Sequence, residues 1–354
     1  MKHAPLRAGL ARLFAALLLL LGSAPLLARD DGWATRARIT ARYLDRHWGV
    51  AGGWDGIEPW QRFVAADVLI DYRRRTGDRR WDRKITGAVR NRTGLSANDD
   101  DLWAVIASVH AWWIGRDPEL LAYAAATYRH VVTTYWDDHC GGGLWWDRRR
   151  TYKNAITNEL LIYASTQMFR ATGQASYREW ALRGWSWFAQ SSMIGPDGLV
   201  NDGLDADCRN NGQPRFSYNQ GVLIGGLNDL AGVTGNAHYD ELAVRTAIAA
   251  IRGLSTPEGI LHEPVDAIGS DGLLFKGIFA YHLGHLLESL PDGPERREIM
   301  AWVRQNAGAV WIQSASGRQP VSGDWAERSL QVGAAAQVSG LAVLLVAGDR
   351  PPLR

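Results

Sequence analysis

Four turn phrases recur between apolar helical stretches, and they limit the possible folds of this chain more than any other feature. They read Thr76-Gly77-Asp78-Arg79-Arg80-Trp81, Ile114-Gly115-Arg116-Asp117-Pro118-Glu119, Thr172-Gly173-Gln174-Ala175-Ser176-Tyr177 and Thr234-Gly235-Asn236-Ala237-His238-Tyr239. A glycine at the end of one helix, followed by a short polar turn and a new helix, is what an αα-hairpin needs. The separations are unequal, so this is a degenerate helical repeat and not a strict solenoid. Between the turns the apolar period is 3.6, as in Leu102, Val105, Ile106, Val109 and Trp112. Leu160, Tyr163, Ala164, Met168 and Phe169 repeat the pattern, as do Val222, Leu223, Leu227, Leu230 and Ala231. Alternating runs are scarce. The expectation is an all-α chain of about a dozen helices, with hairpins arranged as a curved or closed double ring. Its cavity would lie at the loop end of the inner helices.

The N-terminus has the form of an export signal. Lys2, Arg7 and Arg12 precede the apolar run 13–21, and 22–28 offers a cleavage region ending at Ala28. The expected organisation is a signal peptide over 1–28 and a single domain over 29–354, secreted or periplasmic. The apolar run is too short for a comfortable membrane span, and no later stretch is long enough. Without 1–28 the chain carries 36 basic and 37 acidic side chains, a balance that gives no reason to expect nucleic acid or an anionic membrane as partner. Export also means an oxidising compartment, so Cys140 and Cys208, the two cysteines, are expected to form a disulfide. Metal binding is the weaker use for them, and no metal or organic cofactor is expected.

Seventeen tryptophans against seven phenylalanines is the compositional anomaly. A Trp-rich core accounts for it, and so does carbohydrate binding, because flat indole faces suit the C–H faces of sugar rings. The stretch Ser96-Ala97-Asn98-Asp99-Asp100-Asp101-Leu102-Trp103 favours the second use. Asn98 or Asp99 can cap the helix that begins here, and first-turn acids suit the macrodipole. Three adjacent carboxylates exceed what capping needs. Asp99 lies one turn before the apolar face at Leu102, with Trp103 close by, which aims it inward. An apolar neighbour and a second carboxylate raise the pKa of one acid while the other stays ionised. Retaining glycosidases use that pairing, one carboxyl as nucleophile and one as acid/base.

Here a specific resemblance appears. The chain resembles glycoside hydrolase family 76, the α-1,6-mannanases and their cell-wall transglycosylase relatives. The paired-aspartate element is Asn98-Asp99-Asp100-Asp101-Leu102-Trp103. Cys140-Gly141-Gly142-Gly143-Leu144-Trp145-Trp146-Asp147 follows, then Tyr152-Lys153-Asn154-Ala155-Ile156-Thr157-Asn158-Glu159. Tyr218-Asn219-Gln220-Gly221 and Phe275-Lys276-Gly277-Ile278-Phe279 complete the order over nearly the whole chain. The resemblance implies an (α/α)6 barrel and a retaining mechanism with Asp99 as nucleophile and Asp100 as acid/base. Spacing alone identifies the pair without ordering the roles. Asp101 is left for capping or for hydrogen bonds to its neighbours.

The expected substrate-binding set is Asp67, Trp103, Trp145, Trp146, Asn154, Thr157, Asn158, Asp202, Tyr218, Asn219, Gln220, Phe275 and Lys276. Asp67 stands where the family usually has Asn, a departure that bears on subsite detail. The glycines 141–143 allow close approach or a sharp turn. The expected substrate is an α-1,6-linked mannan or mannooligosaccharide, cleaved by a monomer. Two rivals share the cleft: a transglycosylase on mannose-containing cell-wall glycans, and a mannan-binding protein without chemistry, which the intact Asp99/Asp100 pair argues against. An epimerase would need paired bases, for which His282 and His285 are the candidates; lone helical histidines are mostly structural.

Overall fold

The computed structural model describes residues 32–49, 52–265 and 269–348. The expected export segment and its cleavage point lie outside these residues. Among them are twelve α-helices: α1 (Trp33–Arg46), α2 (Gln61–Thr76), α3 (Asp82–Arg90), α4 (Asn98–Gly115), α5 (Pro118–Tyr135), α6 (Ala155–Thr172), α7 (Ala175–Gln190), α8 (Ser217–Thr234), α9 (His238–Gly253), α10 (Gly269–Ser289), α11 (Pro294–Gln313) and α12 (Ala334–Ala347). The even-numbered helices pack side by side in chain order, and α12 returns to α2, so the inner ring is closed. Each odd-numbered helix packs outside a neighbour of the inner ring. The expected (α/α)6 barrel is therefore the observed fold.

The helix faces explain the layering. An inner helix is covered on the outside by its hairpin partner and on the inside by the barrel interior, so it is apolar nearly all round. Every residue of α12 from Ala334 to Ala347 is buried, as are all of α6 from Ala155 to Met168. The outer helix α5 instead buries one stripe, Leu120, Ala124, Tyr128, Val131 and Val132. Inner helices approach closely where glycine permits. A Cβ on Gly277 of α10 would sit 2.4 Å from the Cα of Ser339 on α12, so any side chain there would force the ring apart.

The four turn phrases all end inner helices. Gly77, Gly173 and Gly235 take left-handed φ near 70° at the ends of α2, α6 and α8, and each donates its N–H back into the preceding turn. Arg116 does the same at the end of α4 with φ 55°. Asp117 then caps α5 through its carboxylate on the Glu119 N–H, with Pro118 at the first helical position. These hairpins take two to five residues, whereas the connections entering inner helices take seven to 26. The long segments all gather at the N-terminal mouth of the inner ring.

Two of these segments are joined by the expected disulfide, Cys140–Cys208, which links 136–154 to 191–216. Within the first, the glycine run serves packing: a Cβ on Gly143 would meet the Trp187 ring at 2.4 Å. The tryptophans divide between the core and the surface. Trp54, Trp81, Trp103, Trp187, Trp302 and Trp325 are buried in the core, whereas Trp146 and Trp113 are exposed. No helix among the described residues is long and apolar enough to cross a membrane.

Candidate active site at the N-terminal mouth of the barrel

The three carboxylates occupy the first turn of α4, and the structure gives each a different task. The helix is capped by Ala97 in extended conformation, not by Asn98 or Asp99 as expected. The reason is that Asp100 reaches back over the turn. Its Oδ2 accepts the Ser96 N–H at 2.7 Å and the Ala97 N–H at 3.3 Å, the third-position half of a capping box, which fixes the chain entering the helix with Ala97 at the cap. Asp101 pairs with Arg148 at 2.8 Å, so it takes the neighbour-bonding role and leaves capping to Asp100. The same guanidinium donates to Asn98 Oδ1, while Asn98 Nδ2 donates to the Trp145 carbonyl. The 136–154 segment is thereby fastened across the start of α4.

Asp99 is the carboxylate without such fastening. Its Oδ1 is sealed from solvent and has no hydrogen-bond partner among the described residues. Burial and the Asp100 charge push its carboxyl well above the usual carboxylate range, with the Trp146 indole and nearby backbone N–H groups opposing. Asp100 is also raised, first by burial, with the Ser96 and Ala97 N–H groups pulling the other way. Both carboxyls are therefore pushed towards the protonated form relative to an ordinary aspartate, Asp99 the more strongly.

Around the pair stands a wall of acids and aromatics from the other inner helices. Burial raises the Tyr218 hydroxyl, and four carboxylates facing it add to the shift: Asp202, Asp99, Glu159 and Asp271. That places the starts of α4, α6, α8 and α10 around one cleft. Tyr218 lies flat on Phe275, with ring centroids 3.9 Å apart. Trp60 stacks on Trp103 at 5.9 Å and donates its indole N–H to Asp271 at 2.7 Å. Asp202 accepts from the Tyr152 hydroxyl at 2.6 Å; burial raises its carboxyl, with Tyr152 and Asn219 opposing. Asn219 is fully buried at the start of α8.

Several residues of the expected substrate-binding set also hold the local structure together. Trp145 is fixed away from Asp99: its indole donates to Asp137, and its ring stacks on His139 with Lys153 over it. Trp146 is the tryptophan of that pair that faces Asp99. Asn154 caps α6 through the Thr157 N–H, and Asn158 holds both the N–H and the carbonyl of Leu144. Of that helical stripe, the Thr157 hydroxyl lacks a partner. Gln220 clamps Val200 in the same two-point manner. Lys276 is buried, and burial lowers its pKa against the pull of Glu263 and Asp324. Trp103 is buried beneath Trp60.

Asp67 is elsewhere. It accepts from His110 Nδ1 at 2.9 Å, and His110 lies eleven residues beyond Asp99, about 16 Å further along α4. His282 and His285 also lie towards the far end of the barrel, where burial holds both imidazoles low. The epimerase reading therefore has no base pair at the carboxylates. Trp60, Asp271 and Glu159 are cleft residues missing from the expected set. A tryptophan just before an inner helix is the available signal for Trp60; Asp271 meets Trp60 from 211 residues away, and Glu159 has no hydrogen-bond partner among the described residues to signal it.

Among the described residues, the one His/Cys group compact enough to hold a metal is His139, Cys140 and Cys208, and its sulfurs are in the disulfide.

A sequence-family profile described as Glycosyl hydrolase family 76 matches residues 35–352. Curated relatives include the mannan endo-1,6-alpha-mannosidase DCW1 of Candida glabrata, 27% identical over 290 residues, spanning 73% of this chain and 64% of that protein. DCW1 of Saccharomyces cerevisiae is 28% identical over 246 residues, spanning 64% and 54%. The chain thus spans less than two thirds of the length of either relative. Among solved structures, an inactive variant of the alpha-1,6-mannanase GH76A of Salegentibacter sp. HEL1_6, in complex with alpha-1,6-mannotriose, superposes with a TM-score of 0.81 at 24% identity, covering 89% of this chain and 99% of that one. Dfg5 from Chaetomium thermophilum in complex with glucosamine gives 0.78 at 19% identity, covering 93% and 94%.

Proposed function

The chain belongs to glycosyl hydrolase family 76, and from that premise we propose that it is a retaining glycosidase acting on α-1,6-linked mannan, with Asp99 and Asp100 as its catalytic pair. The observation that carries this reading is the pair itself: two adjacent carboxyls with raised pKa at the one mouth where the long connections and exposed Trp146 converge. The names of the relatives supply the linkage, and the amino-terminal pattern supplies secretion.

In the double displacement, the Asp99 carboxylate attacks the anomeric carbon as the glycosidic bond breaks. The Asp100 carboxylic acid gives its proton to the departing oxygen. Asp100, now a carboxylate, takes a proton from an incoming water whose oxygen attacks the same carbon, and Asp99 leaves as carboxylate. A sugar hydroxyl in place of water gives transglycosylation with the same residues. Trp146 and the Tyr218–Phe275 stack supply faces for sugar rings, and Asp202 with Asn219 supplies hydroxyl partners.

A reversed order of roles has a specific observation in its favour. Backbone N–H groups on Asp100 favour its ionised form, whereas the stronger upward push on Asp99 favours its protonated form. Azide rescue separates the two, using an aryl α-1,6-mannobioside as activated substrate. With Asp99 as nucleophile, azide restores Asp100→Ala and yields the α-azide, while Asp99→Ala yields the β-azide. The opposite pattern reverses the assignment. Loss of neither activity upon substitution overturns the site.

A further inference from the structure

The opposite mouth of the barrel holds a second cavity that this chemistry leaves unused. It has a volume of about 610 Å³, within the range of small-molecule sites. Its lining comes from the C-terminal halves of α2, α4, α6, α8 and α10. Trp113, in that lining, is fourteen residues beyond Asp99, roughly 20 Å down α4.

Three features define what such a cavity takes. Aromatic rings form part of its wall: Tyr163, Tyr281 and Trp113, the last 42% exposed with the Arg116 guanidinium 4.4 Å over its ring. Polar atoms in the lining are sealed from solvent: Tyr163 Oη, approached by the Tyr281 hydroxyl, and His285 Nε2, which has no hydrogen-bond partner among the described residues. Tyr163 is only 2% exposed. Buried orphaned polar atoms are costly, and a ligand that supplies their hydrogen bonds recovers that cost.

The charges are the third feature. Four arginines line the cavity, and each is already committed. Arg73 and Arg79 pair with Asp82, Arg74 with Asp71 and Glu288, and Arg170 with Asp229 at 2.8 Å. Burial lowers the pKa of the His285 imidazole, with Asp71 and Glu288 opposing. These pairs leave little uncompensated positive charge to hold a free anion. A neutral polyol instead accepts from remaining guanidinium N–H groups and donates to remaining carboxylate lone pairs, leaving the ion pairs intact.

We propose that this C-terminal cavity is a second, non-catalytic carbohydrate site that takes a neutral pyranose ring, stacked on the aromatic wall and hydrogen-bonded to Tyr163 and His285. It is independent of the cleft at Asp99.

The test is nitrogen-15 indole NMR of the protein titrated with methyl α-D-mannopyranoside. The Trp113 signal is assigned by its loss in Trp113→Phe, and the Trp146 signal reports the cleft separately. The expected result is a saturable shift of Trp113 that persists in Trp146→Ala and weakens about fivefold in Tyr163→Phe and in His285→Gln. Inorganic phosphate should leave it unmoved. An unmoved Trp113 signal overturns the proposal, as does an equal response to phosphate, or a shift untouched by both substitutions. A response of Trp146 alone would leave the cleft reading standing while refuting this one.

Discussion

The two mouths of the barrel are built from the same six inner helices, yet they differ in connections, charge and state of pairing. At the N-terminal mouth, connections of seven to 26 residues enclose carboxyls that are crowded and incompletely partnered. At the C-terminal mouth, hairpins of two to five residues leave the wall to the helices themselves, and charged side chains close into ion pairs. The macrodipoles favour this division, since helix starts stabilise anions and helix ends cations. They do not determine it, because burial and mutual repulsion overcome the dipole at Asp99 and Asp100. On the proposed function, reactivity resides where long connections permit charges to stay unmatched, and stability where short turns and ion pairs match them.

The sharpest way to break that contrast is to neutralise one acid at each level of the barrel. Asp99→Asn and Asp100→Asn should each lower turnover of an α-1,6-mannooligosaccharide by about three orders of magnitude, with thermal unfolding near the parent's. Asp67→Asn should do the reverse, costing about 2 kcal/mol of stability while turnover per folded molecule holds. Its pH dependence has a definite sign. Burial opposes the charged His110 ring, but Asp67 raises its pKa above the ordinary value. The stabilisation is therefore complete below the unfolded-state pKa and lost as pH rises through the folded one. Urea unfolding at pH 5 and pH 8 checks this, and a cost larger at pH 8 would contradict it.

Next in size is the disulfide. It joins two long connections of the N-terminal mouth, so Cys140→Ser with Cys208→Ser should cost about 2–4 kcal/mol, measured by denaturant unfolding. The smallest effect is at Glu159. Both of its oxygens are buried without a partner, and burial, then Asp202, holds its carboxyl well above the usual range. A raised acid stabilises fully below its unfolded-state pKa and loses that contribution as pH rises through the folded value. Glu159→Gln should therefore gain stability relative to the parent as pH increases, seen as a flatter profile of unfolding midpoint against pH.

The legible and illegible parts of the chain divide by range. The helical hairpins were readable because Gly77, Gly173 and Gly235 act within one turn of their own helices. The proposed catalytic pair is readable because three adjacent acids exceed any capping need. Which acid caps was not: the cap depends on the Asp100 side chain turning back to Ser96 and Ala97. Trp145 and Trp146 could not be told apart, since neighbouring residues in an irregular segment have no period to orient them. The surroundings of Asp67 are not legible because its partner lies 43 residues away, nor those of Trp60, because Asp271 lies 211 away. Closure of the ring, which brings those residues together, has no signature in periodicity.

The most direct test of the central claim is proton NMR of the protein turning over a linear α-1,6-mannooligosaccharide, reading the anomer formed first. The account predicts that the α product appears first and mutarotates later, as a covalent intermediate at one member of the Asp99/Asp100 pair requires. A β product formed first would mean single displacement by water, and the adjacent carboxyl pair would then no longer explain the chemistry.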